Sequence, residues 1–142
     1  GLNIRIPADY IREENQRLRM YKRIAGVESE AQLADVGGEL NDRYGEPPAP
    51  VRTLLDYASL KLICQRLGVV GIERKRDLVN IRFGEKAEVD PGKLAQFVAR
   101  NKGAQFTPAG ILKFTMKAAS PEAILSGLRE LLAQLAQEGI TV

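Results

Sequence analysis

Histidine is absent from this chain of 142 residues, and cysteine occurs only once. Histidine is the commonest general base and the commonest metal ligand, so its absence removes every Ser-His and Cys-His nucleophile arrangement. A single cysteine excludes an internal disulfide and the usual zinc sites, and it fits a reducing cytoplasm. These two shortages argue against a metal centre and against the most common kinds of active site.

Other patterns are also missing. Neither glycine-rich phosphate loop occurs, whether GxxxxGK followed by Ser or Thr, or GxGxxG. No run of about 18 apolar residues could cross a membrane, and no segment has the pattern of a secretion signal. An enzyme built from carboxylates and lysines stays open, but the sequence offers no identifiable acid/base pair. We therefore predict no catalytic residues, no metal, no cofactor and no membrane partner.

The composition itself is ordinary, with 21 Lys and Arg against 18 Asp and Glu and a net charge of +3. A mildly basic balance permits contact with nucleic acid but does not require it. The length matches the commonest size of one domain. Gly1 stands where an initiator methionine would be expected, and a strand-like pattern begins at once. We therefore expect the sequence to be a segment of a longer protein.

The first half of the chain has helical periodicity after a short alternating segment. Alternation over residues 2–6 predicts a strand, and apolar spacing predicts helices over about 12–25, 29–44 and 50–67. The third helix becomes apolar on all sides, so we expect it to be central. The residues expected to be buried by the first helix are Ile11, Leu18, Tyr21 and Ile24.

The second of these helices has the clearest local signals. Ser29 and Gln32, three residues apart, predict a capping box at its start. Gly37 and Gly38 lie inside it, where each costs about 1 kcal/mol relative to alanine. They indicate either a close approach of another backbone or a kink. The apolar stripe predicted to be buried consists of Leu33, Val36, Leu40 and Tyr44.

The second half changes to the period of β-strands. Alternation predicts a hairpin over about 69–83 with its tip at 74–77, and a second hairpin over about 105–115. Asp90-Pro91 and Ser120-Pro121 predict the starts of two further helices.

These elements predict an α+β fold. A helical N-terminal half of three helices, about 7–67, would pack with a C-terminal half, about 68–142, of two β-hairpins and two helices. No long linker separates the halves, so we predict a single domain over 1–142.

One side of the second helix is acidic. At 100° per residue, Asp35, Glu39 and Asp42 fall opposite the apolar stripe, and Glu46 lies just beyond them on the same side. A solvated face supported by a Glu39–Arg43 pair at i, i+4 is one interpretation, and the residues alone favour it. The other interpretation is a docking face for a basic partner.

Basic residues form a second cluster at the predicted tip of the first hairpin, at Arg74, Lys75 and Arg76. Together with the arginines of the first helix they suggest an alternative function, a small nucleic-acid-binding module whose affinity falls with salt. Without an interleaved aromatic platform, the cluster also fits a polar hairpin tip in water. Cys64 has apolar neighbours and is predicted to belong to the core rather than to act as a nucleophile.

Three segments give the chain a family resemblance. They read IPADYIREENQRLRMYKRIA at 6–25, ELNDRYGEPP at 39–48 and RTLLDYASLK at 52–61. Their succession resembles the C-terminal domain of the bacterial transcription-repair coupling factor. The resemblance is densest over the first half and looser after Gly68.

The resemblance implies a non-catalytic regulatory domain of a DNA-translocating ATPase in the bacterial cytoplasm. It implies that the helix carrying ELNDRYG lies against the UvrA-binding module of the same polypeptide, masking that module and keeping the translocase autoinhibited until RNA polymerase is engaged. Glu39 and Asp42 match acidic positions of that contact. The implied partners of the full-length protein are RNA polymerase, DNA and UvrA. The candidate docking residues are Asp35, Glu39, Asp42, Arg43 and Glu46.

Overall fold

A computed structural model describes residues 4–85, 87–117 and 120–140. Within these residues the chain forms five α-helices and a four-stranded antiparallel sheet, which confirms the predicted α+β class. The chain divides into two compact units, Gly1–Leu62 and Ile63–Val142. The boundary between them falls inside the third helix.

The first unit is helical. It contains α1 (Glu14–Ala25), α2 (Glu30–Tyr44) and most of α3 (Ala49–Leu67). The predicted strand over 2–6 is wrong for residues 4–6, which have no regular structure, while Leu2 and Asn3 lie outside the described residues. The backbone N–H of Ile6 instead donates to the hydroxyl of Tyr21, so it bonds to a side chain rather than to a neighbouring strand.

Helix α1 departs from its prediction in two ways. It begins at Glu14, two residues later than expected, because Glu13 has an extended backbone at the N-cap. Leu18 was predicted to be buried, but its side chain is 51% exposed, whereas Met20 is 2% exposed. At 100° per residue Met20 lies about 40° from the buried Ile24 around the helix, and Leu18 lies about 120° from it. The core of this unit consists of Ile6, Ile11, Met20, Ile24, Leu33, Val36, Leu40, Val51 and Ala58.

The second unit is built on the sheet. Its elements are β1 (Val69–Lys75), β2 (Leu78–Phe83), α4 (Pro91–Arg100), β3 (Gln105–Phe106), β4 (Ile111–Thr115) and α5 (Pro121–Gln137). The strand order is β1-β2-β4-β3, and every neighbouring pair is antiparallel. Both predicted hairpins therefore exist, and the pairing of β2 with β4 joins them into one sheet.

The end of the first hairpin is shorter than predicted. Strand β1 continues to Lys75, which pairs with Leu78, so only Arg76 and Asp77 form the turn. Arg74 and Lys75 consequently belong to the strand.

At the start of α5 the predicted cap is confirmed, since the Ser120 hydroxyl accepts a hydrogen bond from the backbone N–H of Ala123 at 3.1 Å. The largest buried side chains of this unit include Leu67, Val79, Ile81, Phe97, Leu112, Leu132 and Leu135.

Candidate docking surface

Helix α2 is capped at both ends. The Ser29 hydroxyl accepts from the backbone N–H of Gln32 at 3.1 Å, and the Gln32 side-chain oxygen accepts from the N–H of Glu28 at 2.8 Å. The predicted capping box is thus present, with its second bond one residue earlier than usual. At the other end Gly45 has a φ of 88°, and its N–H donates to the carbonyl of Asn41 at 3.0 Å. Both ends of the helix are therefore fixed by local bonds.

Tyr10 adds a cap from the segment that precedes α1. Its hydroxyl lies 3.1 Å from the carbonyl oxygen of Leu40 and 2.8 Å from that of Gly45. The Gly45 carbonyl lies beyond the last intrahelical bond of α2, so this hydroxyl supplies it with a donor from outside the helix. Burial raises the pKa of Tyr10, and the nearby Tyr44 hydroxyl raises it further. No local pattern predicted this cap, because 30 and 35 residues separate the partners.

The two sides of α2 differ as predicted. Leu33, Val36 and Leu40 are buried and Tyr44 is half-buried. Asp35 and Asp42 are exposed on the opposite side, and neither has an ion-pair partner among the residues that the structure describes. We call Asp35, Glu39 and Asp42 the acidic face.

Glu39 differs from the two aspartates because α1 supplies it with a partner. Its carboxylate forms an ion pair with the guanidinium of Arg23, and the two side chains remain 37% and 44% exposed. The Glu39–Arg43 pair suggested by the i, i+4 spacing is replaced, since Arg43 lies over the ring of Tyr44 at 5.1 Å from its centroid. Arg23 was not predicted as part of this surface because it is 16 residues away in sequence.

Glu46, the last predicted docking residue, lies 4.0 Å from Arg52. Both side chains are mostly exposed, at 87% and 59%, so this pair contributes little to stability.

A groove lies beside the acidic face, between the end of α1 and the start of α2. Its volume is about 350 Å³. Lys22 and Arg23 of α1 line one wall of the groove, and the carboxylate of Asp35 in α2 lines the other. Lys22 has no ion-pair partner within the described part of the chain. The lining residues are Lys22, Arg23, Gly26, Val27, Gln32, Asp35 and Val36.

The basic residues of the first hairpin do not share one surface. Arg74 pairs with Val79 and Lys75 with Leu78, and successive residues of a strand point to opposite faces of a sheet. The Nε of Arg74 also donates to the carbonyl of Arg76 at 2.8 Å. This arrangement leaves no continuous cationic surface formed by the three residues.

The single cysteine of the chain, Cys64, is partly buried. Burial raises the pKa of the Cys64 thiol to about 11, so this thiol stays protonated at neutral pH and is a poor nucleophile. No group of three or more Cys, Asp or Glu side chains in the same residues is placed to hold a metal ion. Nor does any helix described there have the length and apolar character needed to span a membrane.

Comparison with known proteins identifies relatives. The family model of the TRCF domain matches residues 1–94. The transcription-repair-coupling factor of Haemophilus influenzae is 38% identical over 103 residues, which cover 70% of this chain and 9% of that protein. The Escherichia coli protein of that name is 43% identical over 86 residues, covering 61% and 8%. The Myxococcus xanthus protein is 32% identical over 132 residues, covering 92% and 11%. The chain therefore spans about a tenth of the length of these relatives.

A solved structure described as the C-terminal domain of transcription-repair coupling factor has the same fold. It superposes with a TM-score of 0.75 at 21% sequence identity, covering 98% of this chain and 92% of that one. Residues 1–94, which the family model matches, make up more than half of the 142 residues of this chain. The chain therefore belongs to the TRCF domain family, the C-terminal domain of bacterial transcription-repair coupling factors.

Proposed function

We propose that this domain is a non-catalytic regulatory element that docks on the UvrA-binding module of its own polypeptide. Docking masks that module and keeps the translocase autoinhibited until RNA polymerase is engaged. The observation that carries the proposal is the exposed acidic face on a helix that is capped at both ends. A rigid helix holds its carboxylates at fixed spacing, so a basic surface can meet them without an ordering cost on this side.

The acidic face is suited to a contact within one polypeptide. Exposed ion pairs are individually weak, with about 0–1 kcal/mol each. A tether that supplies an effective concentration of about 1 mM lets such a contact keep the closed state dominant. Masking by about 1–3 kcal/mol represses partner binding about 5- to 150-fold. A few carboxylates are therefore enough for regulation, although they would not hold two separate proteins together.

The contribution of this domain to the full-length protein is binding. Its sequence contains neither phosphate loop, so ATP hydrolysis and DNA translocation belong to other parts of the cytoplasmic parent protein. RNA polymerase, DNA and UvrA are partners of that whole protein.

The decisive test reverses the charge of the acidic face in the full-length protein. Glu39→Lys combined with Asp42→Lys should loosen docking and raise the affinity for UvrA by about 5- to 150-fold. Glu88→Lys combined with Glu130→Lys makes the same charge change at two exposed residues of the second unit and should leave UvrA binding unchanged. Unchanged UvrA affinity in the acidic-face variant would overturn the assignment of this face.

A titration of the isotope-labelled domain locates the contact. Adding the separately expressed UvrA-binding module at high concentration should shift backbone amides centred on residues 35–46. Duplex DNA should leave the spectrum unchanged. Shifts caused by DNA alone, centred on Arg74 to Arg76, would replace docking with the nucleic-acid-binding alternative.

A further inference from the structure

The groove beside the acidic face carries charges that a purely basic partner does not explain. Asp35 stands on its α2 wall, whereas Lys22 and Arg23 line its α1 side. A uniformly basic surface that approached Asp35 and Asp42 would also bring its cations close to Lys22 and Arg23. Like charges in contact are unfavourable and select against the wrong partner. This inference rests on the proposed function and concerns which partner surface the docking face accepts.

The two cations of the groove are available to different degrees. Lys22 is exposed and has no ion-pair partner among the described residues. Arg23 binds Glu39, but a guanidinium has five N–H donors and can serve a second carboxylate beside the first. Both residues lie in the last turn of α1, where the helix dipole also favours positive charge.

We propose that this groove binds an acidic side chain of the docked partner. The partner then presents charges of both signs, with a carboxylate directed to Lys22 and Arg23 and a cation directed to Asp35 and Asp42. The half-buried Val27 and the buried Val36 line the groove between its charged walls, so the stem of the partner's acidic side chain meets apolar surface.

The charges of the groove favour a protein carboxylate over a polyanion. A phosphate backbone would bring a row of negative charges past Asp35, Glu39 and Asp42, which lie on the helix that forms one wall. A single acidic side chain flanked by basic ones satisfies both walls at once. The occupant is therefore a segment of the partner module that carries neighbouring acidic and basic residues.

The test compares two charge reversals on the same helix of the full-length protein. Lys22→Glu removes a cation from the groove, while Arg19→Glu makes the same charge change at an exposed residue that does not line it. If the partner surface were uniformly basic, replacing a cation of this domain by a carboxylate would strengthen the attraction. Both variants would then tighten docking and lower UvrA affinity. The groove proposal predicts that Lys22→Glu loosens docking and raises UvrA affinity about 5- to 10-fold, whereas Arg19→Glu does not loosen it.

A second variant protects this test from a folding artefact. An anion in the last turn of a helix is unfavourable, so Lys22→Gln is measured beside Lys22→Glu, with circular dichroism as the check on folding. Lys22→Gln should raise UvrA affinity in the same direction by a smaller factor. Unchanged or lower UvrA affinity in both Lys22 variants overturns the groove proposal.

The outcomes separate this inference from the proposed function. If the Glu39→Lys and Asp42→Lys variant loosens docking and the Lys22 variants do not, the acidic face stands and the groove proposal fails. If the Lys22 variants alone loosen docking, the groove is supported and the acidic-face assignment fails. If neither set changes UvrA affinity, both are overturned.

Discussion

Helix α2 and the β1–β2 hairpin each carry a charged cluster, and they arrange their charges in different ways. On α2 the spacing of three and four residues places Asp35, Glu39 and Asp42 on one side. On β1 consecutive residues alternate, so Arg74 and Lys75 point to opposite faces of the sheet. Charges that are adjacent in sequence do not make a surface on a strand, whereas charges at helical spacing do.

The ends of the two elements differ as well. Both require a residue with positive φ, which is 88° at Gly45 after α2 and 58° at Arg76 in the hairpin turn. Gly45 also has a ψ of −175°, a combination essentially restricted to glycine, whereas Arg76 carries a Cβ at positive φ and is strained by about 1–2 kcal/mol. The end of the acidic helix is therefore relaxed, and the end of the basic hairpin is strained.

Removing a core side chain beneath the acidic face should cause the largest loss of stability. Leu40 is fully buried on α2, so Leu40→Ala should lower the free energy of unfolding by about 2–5 kcal/mol. Leu18→Ala is the matched control, because Leu18 is 51% exposed and its replacement should change stability by less than about 0.5 kcal/mol. Urea denaturation measures both. Equal losses would show that α2 is not anchored by this stripe.

The next largest change in stability is expected at Gly45, which follows the last residue of α2. Gly45→Ala should destabilise the chain by about 1–3 kcal/mol, since nothing lies within 4 Å of the added Cβ and the backbone alone bears the strain. Gly38→Ala is the same substitution inside the same helix, again with nothing within 4 Å, and should stabilise by up to about 1 kcal/mol. Thermal unfolding distinguishes these opposite signs. A loss in both variants contradicts the backbone argument.

Local patterns predicted the parts of the fold that depend on neighbouring residues. The capping residue Ser29, the buried stripe from Leu33 to Leu40 and both hairpins follow from spacing and turn chemistry. Leu18 was misassigned because α1 has apolar residues on two sides, and local spacing does not show which side faces a neighbour. The joining of the hairpins through β2 and β4 was not predicted for a similar reason, since strand order is decided by packing.

The features of the candidate site likewise divide into those that the sequence predicts and those that only the fold reveals. The carboxylates of the acidic face could be predicted, because they lie on one helix. The pairing of Glu39 with Arg23 and the cap supplied by Tyr10 could not, since each joins residues from different segments. Contacts of this kind need the fold before they can be recognised, and they decide which carboxylates remain available to a partner.

The smallest of the expected effects concerns Tyr10, which fixes the end of α2. Tyr10→Phe removes the single O–H donor shared by the carbonyls of Leu40 and Gly45 and should lower the free energy of unfolding by about 0.5–1.5 kcal/mol. Tyr57→Phe is the control, because the Tyr57 side chain is 39% exposed and should change stability by less than about 0.5 kcal/mol. An effect no larger in Tyr10→Phe than in the control would show that the hydroxyl does not cap the helix.

The pH dependence of the same variant separates the cap from simple packing. Burial raises the pKa of Tyr10, so the contribution of its protonated hydroxyl is complete below the ordinary tyrosine pKa of about 10. That contribution is lost as the pH rises through the higher pKa of the folded state. Between about pH 9 and pH 11, the wild-type chain should therefore lose more unfolding free energy than Tyr10→Phe. Titration of the Cys64 thiol affects both chains equally and cancels in the difference, so identical slopes would contradict the role of Tyr10.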